Sequence, residues 1–349
     1  MLTAKTLILD IGSGTQDVLY YNPDLELENC PKFVLPSPAR LVAARIQELT
    51  ARGRNIHLFG RNMGGGFYKA VKAHLEAGLT VSATRAAAYS LGDDLAKVEK
   101  MGVRLRETQP KNAIPVHLAD YDPGFWESFL GMAGLEPPEA VAACAQDHGF
   151  HPGESNRLGR FKLWESFLTK AHGRLESLIY DAPPSMMTRL AALQESIGGG
   201  PVADTASGAV LGALFDPAIE EICCGQGGVV LNMGNSHILA ALVHGDKAYG
   251  IYEHHTGVRN PQEIWEDLAR FRRGELTNQE VFDAWGHGCM TLDLPAAANG
   301  FKHTAVIGPQ RGQMAGFDAL FPCPGGDMML AGCFGLIKGL NYVLEESDG

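Results

Sequence analysis

Two short peptides carry the residue types that phosphate chemistry requires. In "LILDIGSGTQDVLYY", residues 7–21, an apolar run ends at Asp10 and is followed by Gly12, Ser13, Gly14 and Thr15. In "VVLNMGNSHILAALV", residues 229–243, Asn232 falls on Asp10, Gly234 on Gly12 and Asn235 on Ser13, with Ser236 next. Glycines let backbone N–H groups approach an anion, and hydroxyls add further donors. A carboxylate at a strand end suits Mg²⁺, which prefers oxygen ligands and keeps several waters. Asn232 lacks the charge of Asp10. A unit charge pair about 4 Å apart is worth roughly 1 kcal/mol in water and 4 at intermediate dielectric. The exchange therefore predicts slower hydrolysis while leaving nucleotide binding open.

The segment after the glycines separates three kinds of nucleotide site. A methyltransferase or dinucleotide loop leads directly into a helix whose N-terminus meets the ligand. Here Gln16-Asp17-Val18-Leu19-Tyr20-Tyr21 is strand-forming, and Asn22-Pro23-Asp24 is a turn. Asp17 also stands where G-x-G-x-x-G needs its third glycine. The unit reads as strand, tight turn, strand, and its recurrence in the second half marks an internal repeat.

Other candidates cluster near predicted strand ends, where ligands gather in α/β sheets. Asp147 and Asp204 are candidates to orient or deprotonate a nucleophile. Arg61 and Arg311 are candidates to neutralise phosphate or an acidic substrate. His148, His254 and His255 are candidates to bind an anionic substrate. Together with His151 and His287 they open a second reading, a Zn²⁺ or Fe²⁺ site, although no H-E-x-x-H spacing is present. "MGGGFYKAV" lacks the Gly-Lys-Ser/Thr of a P-loop. "SNRLGRFKLWESFL" reads as a basic loop and amphipathic helix covering the cleft, with Arg157, Arg160 and Lys162 as candidate substrate clamps.

Helix and strand signals alternate around these motifs. "PARLVAARIQELTARG", "FYKAVKAHLEAG" and "RAAAYSLGDDLAKVEKMG" are predicted helices, and "NIHLFG", "LTVSAT" and "EAVAACAQDHG" predicted strands. In the second half "AYGIYEHHTG" and "HTAVIG" are predicted strands. "NPQEIWEDLARFRRGEL" is a helix capped by Asn260 with Pro261 in its first turn. "DMMLAGCFGLIKGLNYVLEE" reads as strand, turn and helix. Each half is an α/β arrangement.

This order of elements and four motifs resemble the actin, heat-shock-protein-70 and sugar-kinase superfamily. "LILDIGSGTQD" resembles the first phosphate loop and "VVLNMGNSH" the second, while "PVADTASGAVLGAL" is similar to the interlobe helix and "MMLAGCFGLIKGL" to the adenosine loop. The resemblance implies two similar ribonuclease-H-like lobes with a cleft between them, residues 1–203 with an insertion around 150–185, and residues 204–349. It implies ATP and Mg²⁺ as cofactors, with Asp10 on the metal. Gly12, Ser13, Gly14, Thr15, Asn232, Gly234, Asn235 and Ser236 would hold the phosphates, and Gly332 and Gly335 the turn beside adenine. The implied function is phosphoryl transfer to, or ATP-driven activation of, a small molecule or partner protein. A metal-dependent hydrolase or lyase using cleft histidines, and a non-catalytic nucleotide sensor, are the alternatives. More closely, "MGGG", "QDHG", "EHHTG" and "AGCFGL" resemble a prokaryotic family often labelled pyruvate-formate-lyase-activating. That label implies a radical S-adenosylmethionine enzyme with C-x-x-x-C-x-x-C, and no such triplet occurs here.

Bulk composition narrows the partners. With 40 acidic against 29 basic residues, the chain lacks the dense positive charge of a nucleic-acid scaffold. No apolar run approaches the ~18 residues of a membrane span. "MLTAKTLILDIGSG" has no basic stretch, apolar core and cleavage site of a secretory signal. The seven cysteines are irregularly spaced, so reduced thiols and a cytoplasmic location are expected.

Overall fold

The β-branched and aromatic residues after Gly14 do form a strand. The computed structural model describes residues 2–347. In it β1 (Thr6–Ile11) and β2 (Thr15–Tyr21) make an antiparallel hairpin with Asp10 opposite Asp17. β3 (Lys32–Pro36) pairs antiparallel with β2. The chain then leaves this sheet. Ser37 accepts a hydrogen bond from the Arg40 N–H and Pro38 fills the first turn, which starts the helix Pro38–Ala51.

β4 (Asn55–Gly60), β5 (Val81–Ala83), β6 (Val103–Leu105) and β7 (Ala113–Leu118) form a separate parallel sheet in the order β6-β5-β4-β7. Ile46, Ile56, Leu58, Phe67 and Val71 belong to its own core. The chain returns to the first sheet as β8 (Ala140–Ala145), parallel to β1, then β9 (Ile179–Tyr180) and β10 (Val202–Ala203), giving the order β3-β2-β1-β8-β10-β9. Buried on both faces, β8 is the near-continuous apolar run expected of a parallel strand.

The second half repeats the plan. β11 (Gly228–Met233), β12 (His237–His244) and β13 (Lys247–His255) form an antiparallel meander. β14 (Gly288–Thr291) extends it, and β15 (His303–Ile307) lies parallel to β11, giving β14-β13-β12-β11-β15. In both sheets a hairpin has a third antiparallel strand on one side and a parallel strand on the other. This mixed α/β architecture of several sheets is consistent with an actin-like ATPase fold. No helix among the described residues is long and apolar enough to cross a membrane.

The helices Thr205–Ala213 and Ala331–Ser347 cross between the sheets at small residues. A methyl group at Gly335 would strike the Gly208 carbonyl, and one at Gly212 the Ala331 carbonyl. The later helix also packs on β1 and β8.

Three local expectations change. "RAAAYSLGDDLAKVEKMG" is two short helices, Arg85–Ala88 and Leu95–Lys100, because Gly92 takes a positive φ and Asp94 caps a fresh start. The strand expected at "DMML" is a 3-10 turn, Met328–Leu330, in which Asp327 accepts from the Met329 N–H. The helix Asn156–Lys170 does not lie over the cleft as a surface cover. It buries Phe161, Trp164, Phe167 and Leu168 in the core between the two sheets.

Candidate functional site

A cavity of about 500 Å³ is walled by the β1–β2 and β11–β12 hairpins and by the loops after β4 and β8. The two glycine turns close identically. The Gly12 N–H donates to the Thr15 carbonyl at 2.9 Å, and the Gly234 N–H to the His237 carbonyl at 3.0 Å. Their tips meet, with the Ser13 and Ser236 hydroxyls 2.9 Å apart. A methyl group on Gly14 would press the Asn235 side chain at 3.1 Å.

The first hairpin supplies acid. Asp10 and Asp17 face each other across the ladder and both line the cavity. One oxygen of each is buried without a hydrogen-bond partner. Burial pushes the Asp10 carboxyl well above its usual range, and the Asp17 charge adds to the effect. Asp17 is pushed up to about 7, chiefly by burial, with the Thr15 hydroxyl opposing and Asp327 reinforcing. Any side chain at Gly332 would collide with the Asp10 carboxylate, so the glycine preserves that pocket. Asn232, the counterpart of Asp10, lies against Gly308, where a methyl group would come within 2.5 Å of its Oδ1.

Behind the cavity, Arg160 is 1 % exposed and organises both halves. Its guanidinium donates to Asp204 at 2.6 and 2.9 Å, to Glu253 at 3.0 and 3.1 Å, and to the Asp147 carbonyl at 2.7 Å. Trp164 Nε1 donates to Glu253 as well. Burial alone would lower the Arg160 pKa, but the two carboxylates outweigh it and hold the guanidinium charged. Glu253 is held below its usual range, because Arg160 and His237 outweigh the effect of burial.

Histidines gather on the second side. His148 lies just beyond β8, His237 opens β12 and His287 immediately precedes β14; one ligating atom from each lies within 4.8 Å of the others. His255 joins their edge, its ring centroid 4.5 Å from that of His287 and 4.9 Å from that of His237. Burial, with neighbouring positive charge, depresses His148 to about 3, His237 to about 4 and His287 to about 2. His237 Nε2 and His287 Nδ1 are buried with no hydrogen-bond partner.

The cavity thus collects Asp10, Gly12, Ser13, Thr15, Asp147, His148, Asn232, Gly234, Asn235, Ser236 and Gly332 from the sequence-predicted set. Gly14 does not line it. Several other expectations change. Asp204 does not line the cavity; it caps the helix Thr205–Ala213 and pairs with Arg160. The Asp147 carboxylate, expected to act on a nucleophile, already accepts the Gly149, Arg189 and Leu190 N–H groups. Gly332 and Gly335 lie inside a helix rather than at a turn, and Gly335 packs on Gly208 because the helices cross too closely for a side chain.

Side-chain direction accounts for the remainder. His254 is fully buried, on the face of β13 opposite Glu253 and His255 because strand residues alternate. Arg61 pairs with Glu195, and Arg311 donates to the Pro322 carbonyl at 2.6 Å; neither lines the cavity. Of the proposed clamps, Arg160 is spent on the buried network, Arg157 donates to the Phe282 and Gly286 carbonyls, and Lys162 pairs with Glu154.

Sequence reasoning missed Asp17, His237, Arg189 and Asp120 as cavity residues. Asp17 was reachable, since pairing Gly12 with Thr15 places residue 17 opposite Asp10. His237 lies within the second glycine motif, as the counterpart of Thr15. Arg189, held by Asp120 at 2.7 and 2.9 Å, gives no local signal.

Residues 63–313 match the family described as "Putative pyruvate format-lyase activating enzyme (DUF1786)", and the chain belongs to that family. No curated protein matches. Among solved structures, the ethanolamine utilization protein EutJ from Carboxydothermus hydrogenoformans is similar at 9% identity and a TM-score of 0.28, over 96% of this chain and 89% of that one. At that score the architecture stands on the strand order above rather than on the likeness. The chemistry in the family description does not find its ligands here. Among the described residues, the groups of three or more metal-ligating side chains include no cysteine.

Proposed function

We propose that the two hairpins are the phosphate grips of two ribonuclease-H-like, actin-like lobes, residues 1–203 and 204–349, and that the cavity between them binds ATP with Mg²⁺. The observation that carries this reading is the convergence of two identically closed glycine turns, tip to tip, on one cavity containing Asp10. The residues suit such a ligand. Asp10 offers a buried oxygen with no partner, and glycine is needed at Gly12, Gly234 and Gly332 because a methyl group there would press on the Thr15 carbonyl, the His237 carbonyl and the Asp10 carboxylate. Mg²⁺, when bound, neutralises phosphate charge and lets the carboxylate act directly or through bound water.

Asp10 and Asp17 hold the cation side. Ser13, Gly14, Asn235 and Ser236 form the hairpin tips, outside the strand ladders, and supply N–H and hydroxyl donors to phosphate oxygens. The adenosine falls to Met328, Met329 and the Gly308–Pro309 turn, which line the same cavity. The acceptor, a small molecule or a side chain of a partner protein, enters against Met63–Gly66 and Arg189 and takes the γ-phosphoryl group, leaving ADP. Asn232 keeps hydrolysis in water slow because the second hairpin adds no carboxylate at the position that matches Asp10. Isothermal calorimetry with ATP and ADP in Mg²⁺ tests this reading. Saturable one-to-one binding, lost in Gly234→Val, is expected; no heat from either nucleotide would overturn it.

A further inference from the structure

We infer that His148, His237 and His287 form a binding site for one divalent transition-metal ion of the zinc class, bridging the two sheets and open on one side to the cavity. Three observations support it apart from the nucleotide reading.

The first is geometry. Three imidazoles come from separate chain segments, one beyond β8 of the first sheet and two from the second, yet their ligating nitrogens lie within 4.8 Å of one another. Zinc–nitrogen bonds of about 2.0–2.1 Å in a tetrahedron place nitrogens about 3.4 Å apart, so modest ring rotations close the set.

The second is unsatisfied polarity. His237 Nε2 and His287 Nδ1 are buried with no partner. A buried imidazole nitrogen without a hydrogen bond is destabilising. A metal ion would satisfy both at once.

The third is the surrounding shell. The Asp147 carbonyl, next to His148, and the Glu253 carboxylate are both fixed by Arg160. The Glu253 carbonyl in turn accepts the His287 N–H at 2.9 Å. One guanidinium thus ties down the chain beside two of the three ligands. Glu253 also brings negative charge beside a dication. His148 and His237 line the cavity whereas His287 lies behind them, so the fourth position faces the cavity contents. An open fourth position distinguishes a reactive zinc site from a structural one and would accept water or an oxygen of the acceptor.

The test uses the full chain, stripped with chelator and titrated with Co²⁺ and Zn²⁺ in the absence of nucleotide. One equivalent of Co²⁺ should bind with visible ligand-field absorption, Zn²⁺ should displace it, and Zn²⁺ should raise the melting temperature. His287→Ala should weaken Zn²⁺ binding by more than the roughly 10–100-fold that outer partners contribute. His287→Cys should keep a site and add thiolate-to-Co²⁺ charge transfer, a signature that neither misfolding nor loose surface binding produces. A folded protein with no stoichiometric Co²⁺ binding, or binding indifferent to both substitutions, would overturn the site. MgATP calorimetry on the same variants keeps the two readings distinct, since nucleotide binding should survive His287→Cys.

Discussion

The two hairpins share one backbone and differ in chemistry. Each closes with the same glycine-to-carbonyl hydrogen bond, and each has a third strand and a parallel neighbour in the same places. On the first, Asp10 and Asp17 face the cavity; at the matching positions the second has Asn232 and Leu239. Where the first has Thr15, the second has His237. Duplicated geometry therefore carries different chemistry, with carboxylates on one side of the cavity and imidazoles on the other. Backbone shape specifies where a ligand can sit, and a few side chains decide which ligand it is.

The strongest way to break the comparison is to cut the link between its halves. Arg160→Met leaves Asp204 and Glu253 buried and unpaired, and should cost about 3–5 kcal/mol in urea denaturation. A smaller loss would mean that water reaches the pair. Next comes the asymmetry itself. Asp10→Asn should weaken Mg²⁺-nucleotide binding by about 1.5–3 kcal/mol, the worth of a charged contact, while Asn232→Ala should cost only about 0.5–1.5 kcal/mol. Equal losses in calorimetry would show that the hairpins do the same job.

The pH dependence should have opposite signs on the two sides. Asp17 has a folded pKa of about 7 against an ordinary 3.8, so its contribution to stability is complete below about pH 4 and is lost as pH rises through 7. His148, His237 and His287 are depressed from 6.5 to between about 4 and 2, so their contribution is complete above pH 6.5 and is lost as pH falls through those values. Thermal melts of the metal-free protein should show Asp17→Asn flattening the alkaline fall and His287→Asn the acid one. If either variant leaves its limb unchanged, the assignment of that limb is wrong. The smallest effect should come from Ser13→Ala or Ser236→Ala, whose mutual contact is solvent-exposed and should change stability by no more than about 0.5 kcal/mol.

Much of this was legible in the sequence because it is local. A turn glycine, a run of β-formers and a proline-terminated segment announce a hairpin without any knowledge of the fold. Asn260 with Glu263 does form a capping box. What was not legible depended on partners distant in the chain. Gly332 and Gly335 resemble loop glycines until the helix that crosses them is known. Arg160 resembles a surface clamp until Asp204 and Glu253 converge on it. His254 and His255 look equivalent in "EHHTG", and only the facing of β13 separates them. The four-stranded sheet of residues 55–118 reads as part of the first lobe because its strands and helices have the same periodicities as their neighbours.

The crossing of Thr205–Ala213 with Ala331–Ser347 has a temporal consequence. Gly332, which shapes the Asp10 pocket, is more than three hundred residues away from that aspartate along the chain. During translation the hairpin emerges early, with its carboxylate uncovered, and waits for a segment made far later. Ribosome-bound intermediates shorter than that segment would lack the completed Asp10 pocket, however well their first sheet had formed.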